Sequence, residues 1–181
     1  MGDKTVNPDK ERTTDRQRNS ECLCFIPSDR THDFHRYAVN GHDLVSAEIS
    51  AALSGTRMGM GEFISRIADI RQTINAASKG ILSPHPDTAK PVVTQPDLWE
   101  LRWTYPGNVQ YRMYFAQNPT GLPELVATHF HRKDISGTAE QQRLRQNEAM
   151  ALGQRRFDSG RAAWWGHRRT HCRHCDWSRV I

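Results

Sequence analysis

His129, His131, Arg132 and Lys133 close the stretch of this chain best equipped for chemistry. Imidazole titrates near neutrality, so the two histidines are candidates for moving a proton. Their spacing of two puts them on one face of any strand that carries them. Arg102, Tyr111 and Arg112 lie a little upstream. A guanidinium grips a phosphate through paired hydrogen bonds, and a tyrosine ring can stack on a base. Such a set suits a phosphate backbone. Plainer roles stand beside this one. Arg102 can simply pair with Glu100, two residues away on the same face, and either histidine can be an ordinary surface residue. Phe130, Trp99 and Trp103 read as core.

Three apolar runs must position these side chains. Leu98–Trp103 alternates, with Leu98, Glu100 and Arg102 on one face and Trp99, Leu101 and Trp103 on the other. Tyr111–Ala116 follows a Tyr-Pro-Gly-Asn turn signal, and Leu125–Phe130 follows Asn-Pro-Thr-Gly. Aromatic and β-branched residues at this spacing predict an antiparallel meander. Before it, Asp43–Leu53 and Glu62–Ala77 show helical spacing; in the second, Phe63, Ile64, Ile67, Ile70 and Ile74 form the apolar face. Together they read as a structural hairpin, with Gly80 as a cap. Pro84, Pro86, Pro91 and Pro96 make residues 82–96 an extended connection. After the meander, Thr138 and Gln141 suggest a capping box for a helix over 139–157. That helix carries Arg143, Arg145, Arg155 and Arg156 directly after the basic strand end, where they can share its anionic ligand.

The 181 residues are 36% hydrophobic, which fits one compact domain with polar ends. Residues 1–42 read as a polar, largely disordered extension, 43–157 as the domain, and 158–181 as a basic tail with Trp, His and Cys. The net charge is +5. All of the basic excess lies from Arg132 onward, where eleven Lys/Arg face five Asp/Glu. A basic end on a near-neutral body points to an anionic partner, nucleic acid first. No run is long and apolar enough for a membrane helix, and no export signal opens the chain, so a cytoplasmic protein is expected. Disulfides between Cys22, Cys24, Cys172 and Cys175 are then not expected. Cys172-x-x-Cys175 with His171 has ligand types suited to zinc. A closed site would have to add two of His167, His171 and His174, or Cys22 and Cys24. The alternative is a tail of little structure, and no metal or other cofactor is expected.

The strand Leu98-Trp-Glu-Leu-Arg-Trp103, the strand Tyr111-Arg-Met-Tyr-Phe115, and the strand Leu125 to Lys133 resemble, in order and spacing, the RelE/ParE superfamily of toxins. They are most similar to the HigB-like, phage-derived branch of type II toxin–antitoxin systems. The resemblance covers residues 43–157. Arg132-Lys133 stands where the family has Lys-Lys, and Asp134-Ile-Ser-Gly-Thr138 departs from its Thr/Lys/Pro-rich segment. The resemblance implies an α+β, RelE-like fold: an N-terminal helical hairpin packed on a small antiparallel sheet, then a C-terminal helix. It implies a metal-independent mRNA endoribonuclease that inhibits translation, on the ribosome or off it, and is held off by a helix-turn-helix antitoxin. In such chemistry the ribose 2′-OH attacks the adjacent phosphate, which needs a base, an acid and charge neutralisation. His129 and His131 are the acid/base candidates; Arg112, Arg132 and Lys133 complete the expected catalytic set. Arg102, Tyr111, Arg143, Arg155 and Arg156 are the expected RNA contacts. Two rival expectations are a non-catalytic nucleic-acid-binding or regulatory protein on this fold, and a toxin that acts by protein contact on a DNA topology enzyme.

Overall fold

The computed structural model describes residues 31–55, 58–82, 84–85, 87–119 and 123–166. Cys22, Cys24, His167, His171, Cys172, His174 and Cys175 lie outside them, and so does the zinc expectation. The chain enters on β1 (Asp33–Arg36). A small hairpin follows, β2 (Ala38–Val39) and β3 (His42–Asp43), then α1 (Leu44–Ser54) and α2 (Met60–Ser78). Next come β4 (Ala89–Pro91), β5 (Leu98–Tyr105), β6 (Val109–Gln117), β7 (Glu124–Arg132) and α3 (Ala139–Gly160), closed by a helical turn, Arg161–Gly166.

Five of the strands form one mixed sheet, ordered β1-β7-β6-β5-β4. The β5–β6–β7 meander is antiparallel, β4 adds antiparallel to β5, and β1 adds parallel to β7. Helices cover both faces. α1 and α2 bury Val45, Ile49, Leu53 and Ile70 against Leu101, Trp103, Tyr111, Met113 and Phe130. On the opposite face, Met150 and Phe157 of α3, with Trp165, pack against Leu98, Tyr114, Ala116 and Val126. The alternation expected along 98–103 is therefore realised, with the tryptophan face toward α1 and α2.

The expected small antiparallel sheet under an N-terminal helical hairpin is not what forms. The sheet is larger and mixed, and the helices do not make such a hairpin on it. Two strands explain the sheet. β1 comes from the polar stretch set aside as an extension; it has four residues, of which Phe34 joins the helix-side core, 5.9 Å from Phe115. Its partner residues in β7 lie 91 positions on, so no local turn announces the pairing. β4 comes from the proline-rich connection and sits at the sheet edge, where Pro91 is tolerated because no ladder partner is required. The helices are positioned by the sheet. Trp103 Nε1 donates to Thr73 at 3.0 Å, and Tyr105 donates to Asp69 at 3.2 Å, which pins α2 to β5. The buried stripe of α2 also shifts: Ile64 is 60% exposed, and Phe63, Ile67, Ile74 and Ala77 pack inward with Ile70.

Local signals set the element ends. Asn40-Gly41, both at positive φ, makes the two-residue turn between β2 and β3. Asp43 caps α1 by accepting from Ser46 N at 2.8 Å. Thr138 and Gln141 form the expected capping box on α3. No helix among the described residues is long and apolar enough to cross a membrane.

Candidate functional site

On the α3 side of the sheet, β5, β6 and β7 carry a polar patch in which Glu100, Arg112, Tyr114 and His129 are buried and Arg102, His131 and Lys133 are half-buried. Alternation places Glu100 and Arg102 of β5, Arg112 and Tyr114 of β6, and His129 and His131 of β7 on that face. Register sets Arg102 opposite Arg112, Arg112 opposite His131, and Tyr114 opposite His129. Lys133 continues the row past β7, its backbone N donating to Gln110 O at 2.8 Å.

The charge balance of this patch is one-sided. Glu100 is 1% exposed and is shared by two guanidiniums, Arg102 at 2.5 Å and Arg112. Lys90 of β4 and Lys133 stand close enough to these arginines to feel them. Burial, then Arg102 and Arg112, holds the Lys90 ammonium below its usual range. Burial, then Arg112, Arg102 and Lys90, does the same to Lys133. Four cations thus surround one buried carboxylate. Their mutual repulsion is relieved by an anion.

Three rings lie against this cluster. His129 and His131 stack with centroids 5.1 Å apart, and Tyr114 stacks on His131 at 5.6 Å. Burial, with His129 and Arg112 nearby, pushes His131 down to about 3, so the imidazole is neutral at pH 7. Its Nδ1 is buried and makes no hydrogen bond. Burial pushes the Tyr114 phenol up to about 12, so it keeps its proton, and its buried hydroxyl has no partner either. A neutral base and a protonated acid therefore sit side by side next to the cations. Unmet buried polar atoms are uncommon in folded proteins, and these two belong to stacked neighbouring rings.

A β-bulge sets these directions. The pairing of β6 with β7 slips between Tyr114 and Phe115, so Thr128 is the extra residue before His129. β1 pairs with β7 only as far as Ala127, leaving the next ladder groups without a strand. Glu48 of α1 and Arg156 of α3 replace it. Phe130 N donates to Glu48 at 2.9 Å, and Arg156 donates to Thr128 O at 2.9 Å and to Glu48 at 2.7 Å. Glu48 also meets His129 Nδ1 at 3.0 Å. Burial opposes charge on Glu48, but the contacts to His129, Phe130 N and Arg156 outweigh it and hold the carboxyl below its usual range.

Of the residues expected to act, His129, His131, Lys133, Arg112 and Arg102 come together. Arg132 falls on the other face of β7, exposed. Tyr111 lies on the opposite, α2 side of the sheet, stacked on Phe130 at 5.8 Å and accepting from Arg66 at 2.9 Å, away from the cluster. Arg156 is spent on Glu48 and Thr128. Arg143 and Arg155 are exposed on α3. Sequence reasoning missed Tyr114 and Lys90, and gave Glu100 only as the partner of Arg102. The same alternation that paired Arg102 with Glu100 carries Tyr114 onto the face of Arg112, so Tyr114 was within reach. Lys90 was not, because β4 is too short to read. Among the described residues no three His, Cys, Asp or Glu side chains group as metal ligands. No family model matches the chain, and no curated protein matches it.

Proposed function

We propose that this protein is a metal-independent endoribonuclease acting on mRNA, the toxin of a toxin–antitoxin pair. One observation carries the nuclease reading: four cations around a single buried carboxylate, beside an unbonded imidazole nitrogen and an unbonded phenol. The motif resemblance supplies mRNA as the substrate and a helix-turn-helix antitoxin as the partner.

The chemistry divides among this chain's own residues. The scissile phosphate rests on Arg112, Arg102 and Lys133, which neutralise the charge that grows on its oxygens in the transition state. His131 Nδ1 takes the proton of the ribose 2′-OH, whose oxygen attacks phosphorus. The bond to the 5′-oxygen breaks, and that oxygen takes a proton from Tyr114. The products are a 2′,3′-cyclic phosphate and a free 5′-OH. The bound anion raises the basicity of His131 during the reaction. Glu48 fixes the ring of His129, which stacks on His131 and orients it.

Expression of the protein alone tests this. Growth arrest is expected, with new mRNA ends bearing 2′,3′-cyclic phosphates and cleavage insensitive to chelators. His131→Ala and Lys133→Ala are expected to relieve the arrest. Full toxicity in both variants removes these residues from the mechanism. A second reading, binding of nucleic acid without cleavage, is favoured by the weak basicity of His131 before substrate binds. Arrest without new mRNA ends excludes cleavage and leaves this reading beside a toxin that acts by protein contact.

A further inference from the structure

A cavity of about 430 Å³ opens beside the cation cluster, lined by Gly107, Asn108, Arg132, Lys133, Asp134 and Ser136. That is within the size range of small-ligand sites. Its walls are braced. On one side is the turn between β5 and β6, where Gly107 at φ 75° and Asn108 at φ 58° hold a left-handed backbone, and Asn108 accepts from Gln110 at 2.8 Å. On the other side is the segment after β7. Asp134 accepts from Ser136 N at 2.8 Å and forms an ion pair with Arg145 at 3.2 Å, Arg145 donates to Ser136 O, and Gln142 donates to Ile135 O at 2.7 Å.

This bracing consumes the one acid of the cavity. Asp134 is tied to α3, and Arg132 acts on it only through space. Among the described residues, no carboxylate lies within ion-pair distance of Arg132 or Lys133. The cavity therefore presents two cations beside one carboxylate, Asp134, which is already ion-paired with Arg145. Lys133 belongs to both places, lining the cavity and feeling Arg112 and Arg102 of the cluster. No aromatic ring lines the cavity, so recognition there rests on the two cations.

We propose that this cavity is a second phosphate subsite, in which Arg132 grips the phosphate of the nucleotide next to the scissile bond while Lys133 bridges the two phosphates. It rests on the nuclease reading and deepens it. Arg132, expected to be catalytic, becomes a substrate-binding residue outside the reacting atoms, and contacts confined to phosphate make the subsite indifferent to base identity.

The test is equilibrium binding, at low salt, of a dinucleotide made uncleavable by a 2′-deoxy first ribose, bare or with one added terminal phosphate at its 5′ or its 3′ end. One of the two added phosphates is expected to tighten binding about tenfold, in line with a charge-assisted hydrogen bond. Arg132→Gln, a change at an exposed side chain, is expected to abolish that gain and leave the bare dinucleotide bound within about twofold. The subsite is overturned if neither terminal phosphate helps, or if the gain survives Arg132→Gln. Inorganic phosphate that binds through Arg132 while neither nucleotide phosphate gains overturns it too, leaving an isolated anion site. A bare dinucleotide that fails to bind, with the phosphorylated one still dependent on Arg132, sinks the cleavage site instead and spares the cavity.

Discussion

Tyr114 keeps its proton because burial disfavours the phenolate, and its hydroxyl faces the cluster without a partner. Tyr114→Phe removes only that hydroxyl. It is expected to leave the thermal midpoint nearly unchanged and to slow cleavage of a model RNA by about 10²-fold or more. Unchanged cleavage in the variant assigns the acid elsewhere. His131 carries a second prediction. Its folded value of about 3 lies below the 6.5 of an ordinary imidazole. Between those values the unfolded chain holds a proton that the folded protein does not. Stability therefore rises with pH across that window and falls as pH drops from about 6.5 toward 3, by at most about 1.4 kcal/mol per unit. Urea midpoints at pH 7 and pH 4.5 are expected to differ less in His131→Gln than in the parent. An equal difference counts against the buried neutral imidazole. Glu100 was legible in part, since its pairing with Arg102 follows from alternation. Its sharing with Arg112 depends on the register between β5 and β6, which no local pattern states.

At the level of elements, Glu48 and Arg156 stand in for a missing strand. Both serve backbone groups of β7 that β1 is too short to reach. Glu48→Ala strands Phe130 N and the Arg156 guanidinium together. A loss of about 2 kcal/mol or more in denaturant unfolding is expected. It should bring faster hydrogen exchange at Phe130 than at Met113, whose strand is paired on both sides. α3 meets the same bulge from above. A Cβ on Gly153 would sit 3.1 Å from Thr128 Oγ1 and 3.2 Å from Tyr114 Cβ. Gly153→Val is therefore expected to push the helix off the sheet, at a cost of about 1–3 kcal/mol. It should also weaken cleavage, because Tyr114 and the bulge move together. A variant as stable and as active as the parent shows that the helix tolerates the change. The helices, the capping box and the meander were readable because each rests on local periodicity or capping chemistry. The bulge was not, since β7 is buried along both faces, and the change of phase between Ala127 and Phe130 does not show as an apolar–polar pattern.

Across the whole molecule, the sheet acts as a divider. One face is sealed by α1 and α2 around Trp103, Tyr111 and Phe130, and the other is only partly sealed by α3. The partly covered end holds the cations, so binding of single-stranded RNA is expected to be strongly salt-dependent. If three or four phosphate contacts form, log K should fall with log salt at a slope of about −2 to −3. Arg112→Gln should make that slope shallower by about 0.7. A slope near zero excludes phosphate contacts as the source of affinity.

Periodicity and residue chemistry by themselves determined that three strands run in sequence, that Glu100 shares a face with Arg102, and that His129 lies beside His131. They also determined that basic residues gather after the third strand. Those are short-range facts, decided by a two-residue pleat and by turn residues that act locally. Tertiary structure alone decided that β1 returns to pair in parallel with β7, that β4 brings Lys90 to the arginines, and that the β5–β6 register lets Arg112 share Glu100 with Arg102. The physical reason is that strand pairing and burial are settled between segments distant in the chain. A four-residue strand, or a single bulge, gains its meaning only from the partner it meets.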